Sequence, residues 1–207
     1  MRIKDKIKRP RRPVVAYEIL PPREKDGTLN SYAANISSLL SQTHIDAINI
    51  PEVRDEVARG ERPIKNQIRA EPREFGRLLQ DIVGIEAIIN RVVVHQDLEK
   101  EMTWLEETNK KYEIENLITV GGESRSIKYP GPSVNQALAA ISKSQKLDLL
   151  CGGISIPSRE KESRRLIEKS ENGAEFFTTQ VLYDSSKIIK MISHYQKRCN
   201  EKNTFPR

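Results

Sequence analysis

The sequence predicts an α/β fold in which strands and helices alternate along the chain. Strand-like and helix-like segments follow one another with little interruption, an order that produces parallel sheets flanked by helices. Residues 85–94 are rich in apolar and β-branched residues, as expected for a strand that is buried on both faces. Gly84 and Gly173 each follow a helical segment, where glycine is favoured. We expect one domain and no short-period repeat beyond the βα unit.

The predicted elements make six βα units. The strands are expected at residues 14–17, 45–50, 85–94, 117–120, 147–154 and 175–182. The helices that follow them are expected at residues 29–42, 72–83, 98–112, 133–144, 159–172 and 185–199.

The first units are recognised by their ends. The first strand is short and apolar, so we expect it to be buried, and it must leave the sheet at Pro21 and Pro22, because proline cannot continue a strand ladder. The first helix has apolar residues three and four positions apart, which form one face. A charged loop at residues 51–71, long enough to be functional, precedes the second helix, which has Pro72 in its first turn.

The later units follow the same logic. The third helix is highly charged, and the fourth begins at Ser133, a residue type that caps helix N-termini. The sixth strand is aromatic and β-branched, and it comes directly after the glycine that ends the fifth helix.

Composition indicates a soluble globular protein with one core. The 207 residues are 37% hydrophobic and 31% charged, and no apolar run approaches the roughly 20 residues that span a bilayer. The first residues lack the apolar stretch of a secretory signal, so we expect a cytoplasmic protein without membrane contact. Cys151 and Cys199 have neither CxxC spacing nor a nearby His pair, so we expect buried thiols and no metal site.

The net charge of +6 is concentrated at the start of the chain. Residues 1–13 contain seven Lys or Arg residues and one Asp, and the remaining residues are balanced. The folded body therefore lacks the basic face of a nucleic-acid-binding domain. We expect residues 1–13 to be a disordered, solvated arm, with contact to an anionic partner as the alternative.

Two of the predicted strands end in polar side chains. The segment YEILPPR (residues 17–23) places Glu18 near the end of the first strand, and FFTTQ (residues 176–180) places Gln180 at the end of the sixth. In parallel α/β folds the carboxyl ends of the strands carry the chemistry. Taken alone, Glu18 fits a surface glutamate near an edge strand equally well.

The two motifs together resemble the methylenetetrahydrofolate reductase family. The resemblance covers residues 14 to about 200 and implies a (β/α)8 TIM-barrel domain over residues 14–207 that carries FAD. It implies reduction of 5,10-methylenetetrahydrofolate to 5-methyltetrahydrofolate with NAD(P)H, in a homo-oligomer. Such a barrel typically needs about 250 residues. We therefore expect an incomplete barrel that is C-terminally truncated or whose open edges a partner covers.

The resemblance also implies cofactor contacts. The turn Gly121-Gly122-Glu123 stands where the family usually has Arg-Gly-Asp near the flavin and the pterin. Tyr129 and Pro130 belong to a segment that resembles the one against the flavin.

A second group of implied contacts lies on other units. Arg165 and Lys169, four apart on one helical face, correspond to cations for the FAD phosphates, although a solvated surface helix explains them equally. Asn90 aligns with a histidine that contacts flavin, and Glu52 is a substitute for a polar group at the second strand. We assign no role to His95.

The implied mechanism gives Glu18, Gln180 and Glu123 separate roles. Glu18 would be the general acid, Gln180 would hold the pterin, and Glu123 would stabilise cationic character in the substrate. Three alternatives remain open. The first is a flavin-free reductase, which is favoured by Gly121 at the position of the family's arginine. The others are a catalytically silent binding or assembly subunit and a nucleic-acid-binding protein with a basic arm.

Overall fold

Six parallel strands form one curled sheet in the computed structural model, which describes residues 2–9, 11–53, 68–124 and 126–202. The strands are β1 (Ala16–Glu18), β2 (Ala47–Pro51), β3 (Ala87–Val92), β4 (Asn116–Val120), β5 (Leu150–Ser155) and β6 (Phe176–Thr179). The helices are α1 (Ile3–Lys8), α2 (Leu29–Leu40), α3 (Pro72–Val83), α4 (Leu98–Lys110), α5 (Val134–Lys143), α6 (Glu162–Glu171) and α7 (Ser185–Glu201).

The strands pair in chain order from β1 to β6, each parallel to the next. Their outer face packs on helices through a large apolar cluster, and their concave face has its own smaller one. Since side chains alternate between the faces of a strand, these two clusters fix which residues face inward. The fold is an incomplete (β/α) barrel, as predicted.

The predicted helix at 72–83 has the observed bounds, with Gly84 in the left-handed conformation at its end. Elsewhere the observed elements differ at their ends, and most strands are shorter. The prediction of a buried first strand is wrong, because β1 is exposed along its length. Among the described residues no strand lies on its other side, so its outer edge and face remain open. Most of the 51–71 loop, residues 54–67, lies outside the described residues.

The prediction of a disordered N-terminal arm is also wrong for residues 3–8, which form α1. Ile3 is only 1% exposed and joins the concave apolar cluster with Ala47, Ile88 and Leu150. Its backbone N–H lies 3.3 Å from both carboxylate oxygens of Glu86. The helix therefore closes the amino-terminal end of the half-barrel.

The partners of this arm form an acidic rim, defined as Asp46, Glu86, Glu115, Asp148 and Glu175, which precede β2 to β6 in turn. Five basic residues of the arm pair with it: Arg2 with Glu115, Lys4 with Asp148, Lys6 and Arg12 with Asp46, and Lys8 with Glu175. The charge that favoured an anionic partner in the sequence is thus largely matched within the chain. A sequence window cannot show this, because each pair joins residues more than 30 positions apart.

Ile3→Ala is expected to lower the free energy of unfolding by about 2–5 kcal/mol, because it opens a cavity in a packed apolar cluster. Chemical denaturation measures the change. The control is Ile189→Ala on α7, where the side chain is 64% exposed and a change within about 0.5 kcal/mol is expected. Equal losses in the two variants would show that α1 does not seal the barrel.

Because of Asp46, the stability that the arm contributes depends on pH. The backbone N–H of Val15 lowers the pKa of Asp46 to about 2, with Lys6 and Arg12 acting in the same direction and burial opposing them. A lowered folded-state pKa contributes stability above the ordinary value near 3.9 that is lost as the pH falls. Asp46→Asn should therefore be less stable than the parent at neutral pH, by about 1.5–3 kcal/mol. Denaturation at stepped pH should show this difference shrinking from about pH 4 to about pH 2, and a constant difference would contradict it.

Candidate functional site

Glu18 and Asn49 form a hydrogen-bonded pair on the concave face. They are paired in register at the carboxyl end of β1, and Nδ2 of Asn49 donates to Oε2 of Glu18 at 3.0 Å. Asn49 lies on the same face as Ala47, two residues earlier, which belongs to the concave cluster. Glu18 is exposed, because the open side of the half-barrel lies next to β1.

Gln180 lies at the same end of the barrel. It follows β6 directly, so it is at the carboxyl edge of the sheet, as Glu18 is. The hydrogen-bonded register aligns Glu18 with Leu150, the first residue of β5. The strands of a barrel of shear eight are tilted, so residues at the same height along the barrel axis shift by about one residue from each strand to the next. From β1 to β6 this shift offsets most of the difference between Gln180 and the position before β6 that the register aligns with Glu18. Glu18 and Gln180 therefore flank the open side at similar heights.

The turn after β4 is held by Tyr129. Its hydroxyl accepts hydrogen bonds from the backbone N–H groups of Glu123, at 2.9 Å, and Ser124, at 3.4 Å. The ring lies directly against Gly122, where a Cβ atom would overlap it, and it packs edge-to-face on His95 with centroids 5.6 Å apart. In this structure the space next to Gly122 is therefore filled by the Tyr129 ring of the chain itself.

Gly122→Ala is expected to destabilise the protein by about 1–3 kcal/mol, because the new methyl group overlaps the Tyr129 ring. The adjacent Gly121→Ala is the matched control, since its Cβ would meet only Val134 at an ordinary 3.4 Å. Thermal melting of both variants compares them. A Gly122 variant as stable as the Gly121 variant would show that the ring contact is loose.

Arg165 and Lys169 lie on α6, as the sequence predicts. The Lys169 ammonium donates to the backbone carbonyl of Ile154 on β5, and burial lowers the pKa of this lysine. Nε of Arg165 is buried without a hydrogen-bond partner among the described residues. The neighbouring Glu168 is paired with Arg164 at 2.9 Å. One of the two predicted phosphate contacts is thus already bonded to backbone, and the other has an unused donor.

Asn90 lies on the concave face of β3, two residues after Ile88 of the concave cluster. Its Oδ1 is buried and has no hydrogen-bond partner within the described ranges. Pro130 lies farther out, where it lines a groove between α4 and α5. The structure thus groups Glu18 and Asn90 on the concave side of the strands, and it leaves Pro130 on the outer surface.

Two features escaped the sequence analysis. Asn49 lies in the segment Asn49-Ile50-Pro51-Glu52 at the second strand, where the sequence analysis selected Glu52 as the polar group. The second feature is a buried charge cluster on the outer side of β3, where Arg91 donates to both oxygens of Glu101, at 2.9 and 2.7 Å, and to Glu52 at 2.8 Å. The Arg91 guanidinium lies 4.1 Å from the Trp104 ring centroid. Glu52, considered above as a cofactor contact, is therefore a structural partner of Arg91.

Two clefts are found in the described part of the chain besides the concave mouth. One is the α4–α5 groove of about 480 Å³, and the other, of about 340 Å³, lies beside Arg73, Arg91 and Trp104. The concave mouth is open to one side, so it does not form an enclosed cavity. We place the candidate site at this mouth because the buried Oδ1 atoms of Asn49 and Asn90 lie on its concave face without a hydrogen-bond partner among the described residues.

Both cysteines are buried, as predicted. Burial, followed by the nearby charge of Glu175, raises the pKa of Cys151 to about 12, so its thiol does not serve as a nucleophile at neutral pH. Within the described ranges, none of the helices has the length and apolar character needed to cross a bilayer.

Comparison with models of known protein families and with curated proteins gives no match. Solved structures do match. The chain is similar to an uncharacterized protein from Clostridium thermocellum that binds two copies of 5-methyl-5,6,7,8-tetrahydrofolic acid, with 22% identity and a TM-score of 0.74. The alignment covers 98% of this chain and 66% of that one, so the chain spans just under two thirds of that protein.

Two further structures share the architecture. They are 4-hydroxy-tetrahydrodipicolinate synthase from Methylacidiphilum fumariolicum SolV, with 17% identity, and N-acetylneuraminate lyase from Fusobacterium nucleatum, with 11% identity, both with a TM-score of 0.54. The alignments cover 88% and 90% of this chain and 59% and 60% of theirs. At these identities the similarity establishes the fold, and the function has to be argued from the site.

Proposed function

We propose that this chain binds a reduced folate at the concave mouth and reduces 5,10-methylenetetrahydrofolate to 5-methyltetrahydrofolate. The observation that carries the proposal is the Glu18–Asn49 pair, a carboxyl group held by an amide at the carboxyl edge of a (β/α) barrel. The Clostridium protein, which has the same fold, binds a tetrahydrofolate.

The chemistry assigned to Glu18 is proton donation. As the five-membered ring of the substrate opens, the bond between N10 and the bridging carbon breaks, and the electron pair of N5 forms an iminium ion with that carbon. The proton from Glu18 goes to N10, and hydride then reduces the iminium carbon to a methyl group. Gln180, across the open side of the mouth, would hydrogen-bond the pteridine, and Glu123 would stabilise the positive charge.

The residues present fit FAD at two positions. The unused Nε donor of Arg165 suits a phosphate oxygen, and the unpartnered Oδ1 of Asn90 suits the ring N–H of a flavin. When bound, FAD would pass hydride from NAD(P)H to the substrate. This chain's own part is to bind, to orient and to supply the proton.

A flavin-free reductase is the second candidate, and two contacts favour it. Tyr129 occupies the space against Gly122, and the Lys169 ammonium is bonded to the Ile154 carbonyl, so neither is open to a flavin in this structure. In that case hydride passes directly from the nicotinamide to the folate.

An anaerobic assay tests the proposal. Purified protein is incubated with 5,10-methylenetetrahydrofolate and either NADH or NADPH, with and without added FAD, and 5-methyltetrahydrofolate is quantified by chromatography. We expect product in proportion to enzyme, and no product under any condition would refute the reductase. The visible spectrum of the active protein separates the candidates, since a yellow protein supports FAD and a colourless active one supports direct transfer.

A further inference from the structure

Asn49 connects Glu18 with the concave face. Its Nδ2 is used by the Glu18 carboxylate, and its Oδ1 is buried without a hydrogen-bond partner among the described residues. Nδ2 is the donor in this bond, so the amide nitrogen faces Glu18. This fixes the orientation of the amide and leaves the oxygen as the atom available to a ligand.

An unsatisfied amide oxygen carries a cost. Leaving a buried acceptor without a donor costs about 1–3 kcal/mol, and such groups in native proteins call for a physical reason. Ligands bind at the carboxyl ends of barrel strands, and a ligand that donates a hydrogen bond would satisfy this oxygen. Phosphate and carboxylate groups have no donor when ionised, so they would leave Oδ1 unsatisfied.

We propose that Asn49 is the positioning residue for Glu18 and that its Oδ1 accepts an N–H group of the reduced pteridine ring. This rests on the proposed function and assigns a residue to it that the family resemblance does not. A reduced pteridine has N–H groups at N3 and N8 and an amino group at C2, so it offers several suitable donors. A single amide then holds both the acid and the substrate, and it fixes their relative placement.

Asn90 provides a matched control. It is also an asparagine on the concave face of a neighbouring strand, and its Oδ1 is also buried and unsatisfied within the described ranges. It makes no hydrogen bond with Glu18 in the described structure. Any effect specific to the Glu18–Asn49 pair should therefore be absent at Asn90.

The test is a polarity swap, read by calorimetric titration with tetrahydrofolate. Asn49→Asp removes the donor and sets two carboxylates against each other, so affinity should fall roughly tenfold or more. Adding Glu18→Gln should restore affinity to within about threefold of the parent, because the amide at position 18 then donates to the carboxylate at position 49. In the control, Glu18→Gln should not rescue Asn90→Asp. Circular dichroism confirms that each variant is folded.

The outcomes separate the two proposals. If the parent chain does not bind tetrahydrofolate, the proposed function fails and this inference falls with it. If the parent binds and Asn49→Asp binds equally well, only the role of Asn49 is wrong. If Asn49→Asp binds weakly and the double variant is no better, Asn49 does not act through Glu18, and the inference is overturned.

Discussion

Glu18→Gln is expected to lower reductase turnover by a factor of about 10² to 10⁴ while tetrahydrofolate affinity stays within about threefold. The amide cannot supply the proton that N10 needs, and the contribution of a positioned general acid is of this size. The oxygen of the new amide can still accept the hydrogen bond of Asn49, so the mouth keeps its shape. Turnover and affinity are measured on the same preparation, by product chromatography and by calorimetric titration.

Glu160→Gln is the control for this change. Glu160 is an exposed carboxylate in the loop between β5 and α6 that makes no hydrogen bond with Glu18 or Asn49 in the described structure, and turnover should not change. Glu18→Gln turnover above about a tenth of the parent value would exclude Glu18 as the general acid. Loss of affinity and turnover together would assign it to binding.

Arg91→Met is expected to lower the free energy of unfolding by about 3–5 kcal/mol. The Arg91 side chain is 2% exposed and that of Glu101 is 0% exposed, so removing the cation leaves a buried carboxylate without its main partner. Burial acts to lower the pKa of Arg91, but its bonds to Glu101 and Glu52 outweigh burial and raise it overall. The Arg91 guanidinium therefore keeps its charge, and urea denaturation measures the loss.

Two comparisons make the Arg91 prediction specific. Arg77→Met removes an arginine that pairs with Asp81 at 2.8 Å on the surface, and it should cost at most about 1 kcal/mol. Arg91→Met combined with Glu101→Leu should recover much of the loss, because no unpaired buried charge remains at that position. A double variant less stable than Arg91→Met alone would show that the charge cluster does not act as a unit.

Local signals in the sequence were sufficient to predict the order of the helices and strands. Pro72 at a first turn, Ser133 as a cap and Gly84 as a helix end all act within one turn of chain, so the sequence predicts them directly. The β1 prediction failed because burial depends on the neighbours of a strand, which its own sequence does not contain. The prediction of a disordered arm failed for the same reason, because the arm is held by the acidic rim, whose five residues come from the five segments that precede β2 to β6.

The candidate site was predictable only in part. Glu18 and Gln180 could be placed at strand ends from proline and amide positions, and the structure puts both at the carboxyl edge. The role of Asn49 could not be predicted, and Glu52 was chosen in its place, since that role depends on pairing with a residue 31 positions away. The same holds for Tyr129, which reads as a ligand contact in sequence and covers Gly122 in the structure. The use of FAD and NAD(P)H and self-association stay predictions.

A crystal structure of the chain with 5-methyltetrahydrofolate tests the central claim most directly. The account predicts the pteridine ring on the concave face, within hydrogen-bond distance of Asn49 and beside Glu18, with Gln180 on its other side. Tetrahydrofolate bound only outside the barrel, such as in the groove between α4 and α5, would contradict the account, as would saturating ligand that leaves the mouth empty.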